Sequence, residues 1–189
     1  LEFRRVLFRS VSKRPYDRCV FLAVRGPLTR STLNLGVEVP VGDPALLIPA
    51  LYQPFGLEVN RSRLLLVPEV DDHRPDDELC QLSGCTDILR PSSRTTPQAI
   101  QSFINYLLTA EFVLCGCFYA AVVAAAYGRR FAFWDSGAIQ DVFIWEDFAA
   151  AIQVPCQFQT EVENAQRHYR SEEHTSELQS HSDLVCRLL

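Results

Sequence analysis

Apolar residues in this chain fall into short unbroken blocks separated by turns rich in Gly, Pro and charge. Cys19–Val24 (CVFLAV) is the first block, and a continuous run of this kind reads as a strand buried on both faces. Arg25-Gly26-Pro27 interrupts it. Pro27 suits the first turn of a helix, which the pattern carries to about Leu35, with Gly36 as its stop. Val37–Val41 reads as a second strand, Gly42-Asp43-Pro44 as a turn, and Ala45–Leu51 is apolar again. The polar stretch Tyr52–Arg63, punctuated by Pro54, Gly56 and Asn60, reads as a linker or loop.

A second alternating series follows. Arg63–Val67 (RLLLV) predicts a strand, Asp76–Leu82 a helix and Asp87–Leu89 a short strand. Thr96 and Pro97 begin a helix over Pro97–Thr109, with Ile100, Phe103, Ile104, Leu107 and Leu108 at helical spacing. Phe112–Leu114 predicts a strand, Tyr119–Ala126 a helix, Phe131–Trp134 a strand and Trp145–Ile152 a last helix. Strands that are apolar throughout and alternate with helices specify an α/β fold with Rossmann-like parallel sheets covered on both faces. The expected division is a first unit over residues 11–51, a linker over 52–62 and a second unit over 63–169.

The two ends read differently. Leu1–Ser10 and Arg170–Gln179 can be encoded by the opposite strands of one DNA segment, a relation that unrelated protein segments do not share. That segment resembles a sequencing adapter, and Asp183–Leu189 fits its continuation. Residues 1–10 and 170–189 are therefore expected to be adapter-derived, the latter disordered, and the native portion truncated at both ends.

Composition narrows the function classes. The formal net charge is −5, and the adapter-like ends carry as many acids as bases, so the acidity belongs to residues 11–169. A mildly acidic chain without a basic stripe argues against a nucleic-acid partner. Phe112–Gly128 is uncharged but shorter than the ~20 residues a spanning helix needs, so no transmembrane segment is expected. Of the seven cysteines, Cys19, Cys80, Cys85, Cys115, Cys117 and Cys156 lie outside the adapter-like ends. Their spacing makes no paired CxxC knuckle, which predicts buried reduced thiols, no metal site and a cytoplasmic protein. The acidic run Asp71-Asp72-His73 with Asp76-Asp77-Glu78 reads as a solvated loop and helix start rather than a cation site.

In open parallel sheets, ligands bind beyond the carboxyl ends of the strands, close to helix N-termini. Two junctions qualify. At Val24-Arg25-Gly26-Pro27, the Arg25 guanidinium stands beside a helix start and either clamps an anion or pairs with a local carboxylate such as Asp43. At Cys115-Gly116-Cys117-Phe118-Tyr119, small residues at a strand end allow close backbone approach, with core packing as the plain alternative. Ser136 lacks a nucleophile-elbow context.

VRGPLTRSTLNLG, VGDPALLIP, LLLVPEV and FVLCGCFYAAVVAAAYGRRFAFWDSG occur here in order. This series resembles the polysaccharide pyruvyl transferase family from about Cys19 to Pro155. The resemblance implies a glycosyltransferase-B-like two-domain enzyme without a cofactor, whose donor substrate is phosphoenolpyruvate. Such an enzyme moves the enolpyruvyl group onto a saccharide or lipid-linked glycan acceptor as a cyclic ketal, in cell-surface or exopolysaccharide synthesis. It also implies that Arg25 holds the donor's anionic groups and that Cys115, Gly116, Cys117 and Phe118 line the substrate. Tyr119 occupies the position of the family's acid/base histidine, and the two cysteines replace serines. A phenol, with an ordinary pKa of about 10, donates a proton but is a weak base near neutrality. The alternatives are a nucleotide-sugar transferase of the same architecture and a non-catalytic homologue.

Overall fold

The structure is a computed structural model of the 189-residue chain, and it describes residues 19–92, 96–137, 139, 141–173. The adapter-like residues 1–10 and 174–189 lie outside the described residues. The architecture is a five-stranded, all-parallel sheet with helices on both faces. In chain order the elements are α1 (Pro27–Thr32), a 3₁₀ turn (Pro44–Leu47), α2 (Ile48–Leu51), β1 (Asn60–Val67), α3 (Asp76–Ser83), β2 (Asp87–Ile88), α4 (Pro97–Leu108) and β3 (Ala110–Cys115). There follow α5 (Phe118–Ala126), β4 (Phe131–Trp134), α6 (Val142–Ile152), β5 (Phe158–Gln159) and α7 (Val162–Glu173).

Spatial strand order is β2-β1-β3-β4-β5. The chain thus winds first to one side of β1 and then to the other, and the reversal lies between β1 and β3. Alternation along the strands divides the core. Leu65, Val67, Val113, Cys115 and Phe133 face α4, α5 and α6, whereas Leu66, Phe112, Leu114 and Trp134 face Leu79 of α3 and Val162 and Ala165 of α7. Each strand must therefore be apolar on both faces, which explains unbroken runs such as LLLV and FVLC. Burying a Leu or Val side chain contributes ~1.5–3 kcal/mol, and these strands bury nearly all of theirs.

Most helix boundaries match the sequence pattern. Thr96 caps α4 by accepting from Ala99 N at 3.2 Å. Ile104, Leu107 and Leu108 are buried as the spacing predicts, while Ile100 at the helix start stays exposed. Three expectations need correction. The runs Cys19–Val24 and Val37–Val41 do not form strands; a single parallel bridge, Val24↔Val41, joins them. With no further ladder partner among the described residues, Val24 is buried but several of their other side chains stay outside, Val20 being 86% and Val37 87% exposed. The strand expected over Arg63–Val67 starts earlier, at Asn60, inside the stretch read as a linker or loop. Finally, α7 runs through Glu173, so Arg170–Glu173 are helical rather than disordered. Buried Val162 and Ala165 anchor this helix on the sheet, and its last residues extend it.

Residues 24–52 pack directly on the helical layer. Leu46 belongs to the same core as β1, β3 and α5. Tyr52 donates its hydroxyl proton to Asn105 Oδ1 at 2.9 Å, and Tyr127 donates to the Tyr52 carbonyl at 2.7 Å. Among the described residues, no helix is long and apolar enough to cross a membrane.

Candidate functional site

The two junctions singled out in the sequence meet at the carboxyl edge of the sheet. Arg25 Nη2 lies 3.5 Å from Tyr119 Oη, across 94 residues of chain. The guanidinium carbon sits 5.1 Å from the centre of the Phe118 ring, within cation–π range. Phe118 is itself held edge-on by Tyr119, Trp145 and Phe148. An aromatic cluster built from α5 and α6 thus supports the arginine from below. Tyr119 is 55% exposed, so the phenol and the guanidinium present one solvent-facing surface.

Arg25 also has an internal partner. Its Nε lies 2.9 Å from Asp43 Oδ2, the pairing that the sequence offered as the structural alternative. Asp43 is buried, and its Oδ1 accepts from Ala45 N at 2.9 Å to start the 3₁₀ turn. Oδ2 accepts no well-directed hydrogen bond among the described residues; the Arg25 charge is its counterpart.

The helix start beside Arg25 is not open to an anion. Asp147, from α6, accepts from Leu28 N at 2.8 Å and Thr29 N at 3.1 Å, and from the Thr29 hydroxyl. A carboxylate is what the unpaired N–H groups and dipole of a helix start favour, and here the protein supplies its own. Gly26 makes this possible, since a Cβ there would overlap both the Asp147 carboxylate and its carbonyl oxygen. Sequence reasoning missed Asp147. The available signal was a lone acid on the apolar face of VFIWEDFAAAI.

The second junction is consumed in a similar way. Gly116 N and Cys117 N both donate to the Val67 carbonyl, at 2.8 and 3.0 Å, so neither is free for a ligand. Gly116 is required by close approach, because a Cβ would lie 2.9 Å from Trp134 Cε3 and 3.3 Å from Pro68 Cα and Glu69 N. That packing fills the reversal point between β1 and β3. Cys115 is fully buried in the core, away from the Arg25–Tyr119 surface. Burial pushes its thiol well above the ordinary range. Burial raises the Cys117 thiol too, with Glu69 adding to it and the N–H groups of Ala120 and Tyr119 opposing it. Both stay protonated at neutral pH and are neither nucleophiles nor bases.

The acidic loop is internally paired. Arg74 binds Asp72 through two nitrogens and lies over Trp134 at 5.4 Å, and Arg90 bonds Asp76. The Arg74 hydrogen bond holds the Asp72 carboxyl below its usual range. Among the described residues, no group of three or more His, Cys, Asp and Glu is placed to hold a metal ion. His73 is exposed in this loop.

The arrangement can therefore hold an anion at Arg25 and donate a proton from Tyr119. Neither of the two buried thiols takes up a proton at neutral pH. In comparisons with known proteins, no family model, curated protein or solved structure matches this chain.

Proposed function

We propose that this chain is part of a transferase of the polysaccharide pyruvyl transferase type, contributing the side of the cleft that holds the phosphoenolpyruvate donor. The observation that carries the reading is the meeting of Arg25 and Tyr119 above Phe118. These are the residues matched to the family's donor-binding arginine and acid/base position. Ketal formation requires a proton delivered to the methylene carbon of phosphoenolpyruvate while one acceptor hydroxyl adds to the neighbouring carbon. A second hydroxyl then displaces phosphate. Of the two hydroxyl protons, one ends on the new methyl group and the other leaves with phosphate. Tyr119 suits the first of these transfers, as a donor.

A second reading, a non-catalytic homologue that keeps the donor pocket, is favoured by the neutral thiols and the phenol, none of which serves as a base. The wider two-domain architecture and a cytoplasmic, soluble setting belong to the same proposal. The test is calorimetric titration of the chain with phosphoenolpyruvate and, separately, a uridine diphosphate sugar. Donor binding that Arg25→Ala abolishes supports the reading. Binding of the nucleotide sugar alone overturns it in favour of a glycosyltransferase. Phosphate release by Tyr119→His, but not by the parent chain, would favour the non-catalytic homologue.

A further inference from the structure

Resting on the reading of Arg25 as the donor's anchor, we infer that Asp43 determines which anionic group of the donor Arg25 accepts, and that it selects the carboxylate over the phosphate. Asp43 is 4% exposed and is fixed at both ends, Oδ1 on Ala45 N and Oδ2 against Arg25 Nε at 2.9 Å. The Nε edge of the guanidinium is thereby committed, and one of its faces lies on the Phe118 ring. What remains is the end edge. Among the described residues Nη1 has no partner, and Nη2 has only the 3.5 Å contact with Tyr119 Oη. A planar two-oxygen group fits such an edge as a fork, with the phenol alongside.

Charge decides between the candidates. One buried carboxylate, Asp43, already faces the guanidinium at this junction, and the helix start beside it that would otherwise favour an anion is filled by a second buried acid, Asp147. A monoanion gains the short contact with Arg25 and meets the buried acids only at longer range. A phosphate near neutrality carries close to two charges, which doubles the attraction and the repulsion alike, whereas its desolvation cost grows faster than its charge and is not repaid at a guanidinium that Asp43 already offsets. Asp43 is a specificity-determining residue in this account and takes no part in bond making.

The test is an NMR titration of the 189-residue chain, reading the Arg25 Nε–H and the Tyr119 ring, with lactate, inorganic phosphate and phosphoenolpyruvate in turn. Lactate should bind about tenfold more tightly than phosphate, as one extra unit charge at this range implies. Asp43→Asn keeps an oxygen for Ala45 N and should tighten phosphate by about tenfold while changing lactate by less than about threefold. Asp43→Ser, which also retains a capping oxygen, repeats the comparison if the amide variant does not fold. Equal or tighter phosphate binding in the parent chain, or an unchanged ratio in the variants, overturns the inference. Lactate selectivity without phosphoenolpyruvate binding would sink the transferase reading and leave this one standing. Phosphoenolpyruvate binding that phosphate blocks and lactate does not would do the reverse. No binding by any of the three overturns both.

Discussion

Replacing Asp147 by alanine should cost far more than its place on a peripheral helix suggests. The carboxylate is 1% exposed and accepts three hydrogen bonds from α1, two from backbone N–H groups and one from the Thr29 hydroxyl. A hydrogen bond to a charged group contributes ~1.5–3 kcal/mol, and a lost helix cap costs ~0.5–2 kcal/mol. Leu28 is exposed and Thr29 half-buried, so water takes up their N–H groups once α1 lifts, which lowers the total to about 3 kcal/mol. For a chain of this size that corresponds to a fall in Tm of about 6–12 °C, measurable by urea and thermal denaturation. Gly26→Ala attacks the same contact from the other side, because its Cβ overlaps Asp147. It should cost a similar amount, and the double variant should lose much less than the sum of the two. A loss below about 0.5 kcal/mol for Asp147→Ala, in the range of an ordinary surface change, or strict additivity with Gly26→Ala, would refute the claim that this carboxylate ties α1 to α6.

Three further outcomes are expected. Gly116→Ala should destabilise by about 1–3 kcal/mol, because neither the Trp134 ring nor the Pro68–Glu69 backbone can easily retreat from the new methyl; a neutral effect in urea denaturation would count against that packing. Mass-mapped alkylation of the native chain should label Cys19, which is exposed, and spare Cys85, Cys115 and Cys117 until the chain unfolds. Alkaline pH should destabilise the fold. Burial raises the Cys85 thiol from 9.0 to about 12, so the native state keeps a proton that the unfolded chain releases. Stability is then full below about pH 9 and is lost as the pH climbs towards 12, with a slope of ~1.4 kcal/mol per pH unit for each such thiol. A flat urea midpoint across that window would contradict the burial.

What was legible in the sequence was decided by burial on two faces. Unbroken runs such as RLLLV and FAFW betray strands covered above and below, and β4 falls on Phe131–Trp134 as read. The same logic failed at CVFLAV, since an apolar run forms a strand only if a neighbour supplies the ladder, and composition is silent on neighbours. β5 and α7 escaped notice for other reasons. β5 is only two residues long, and α7 is strongly polar, with Val162 and Ala165 as its main anchors on the sheet. At the site, residue types located Arg25 and Tyr119 and offered Asp43 as the arginine's partner, but only the fold could show that Asp147 fills the helix start beside them. Long-range pairs across 118 or 119 residues leave no trace in local spacing.

The lengths of the strands carry one more consequence. The sheet is eight and six residues deep at β1 and β3 but only two at β2 and at β5, its lateral strands. A foreign strand approaching either flank finds too few unpaired backbone groups to template itself on, one of the ways proteins avoid edge-to-edge aggregation. The edges of this sheet are thus a poor seed for fibrils.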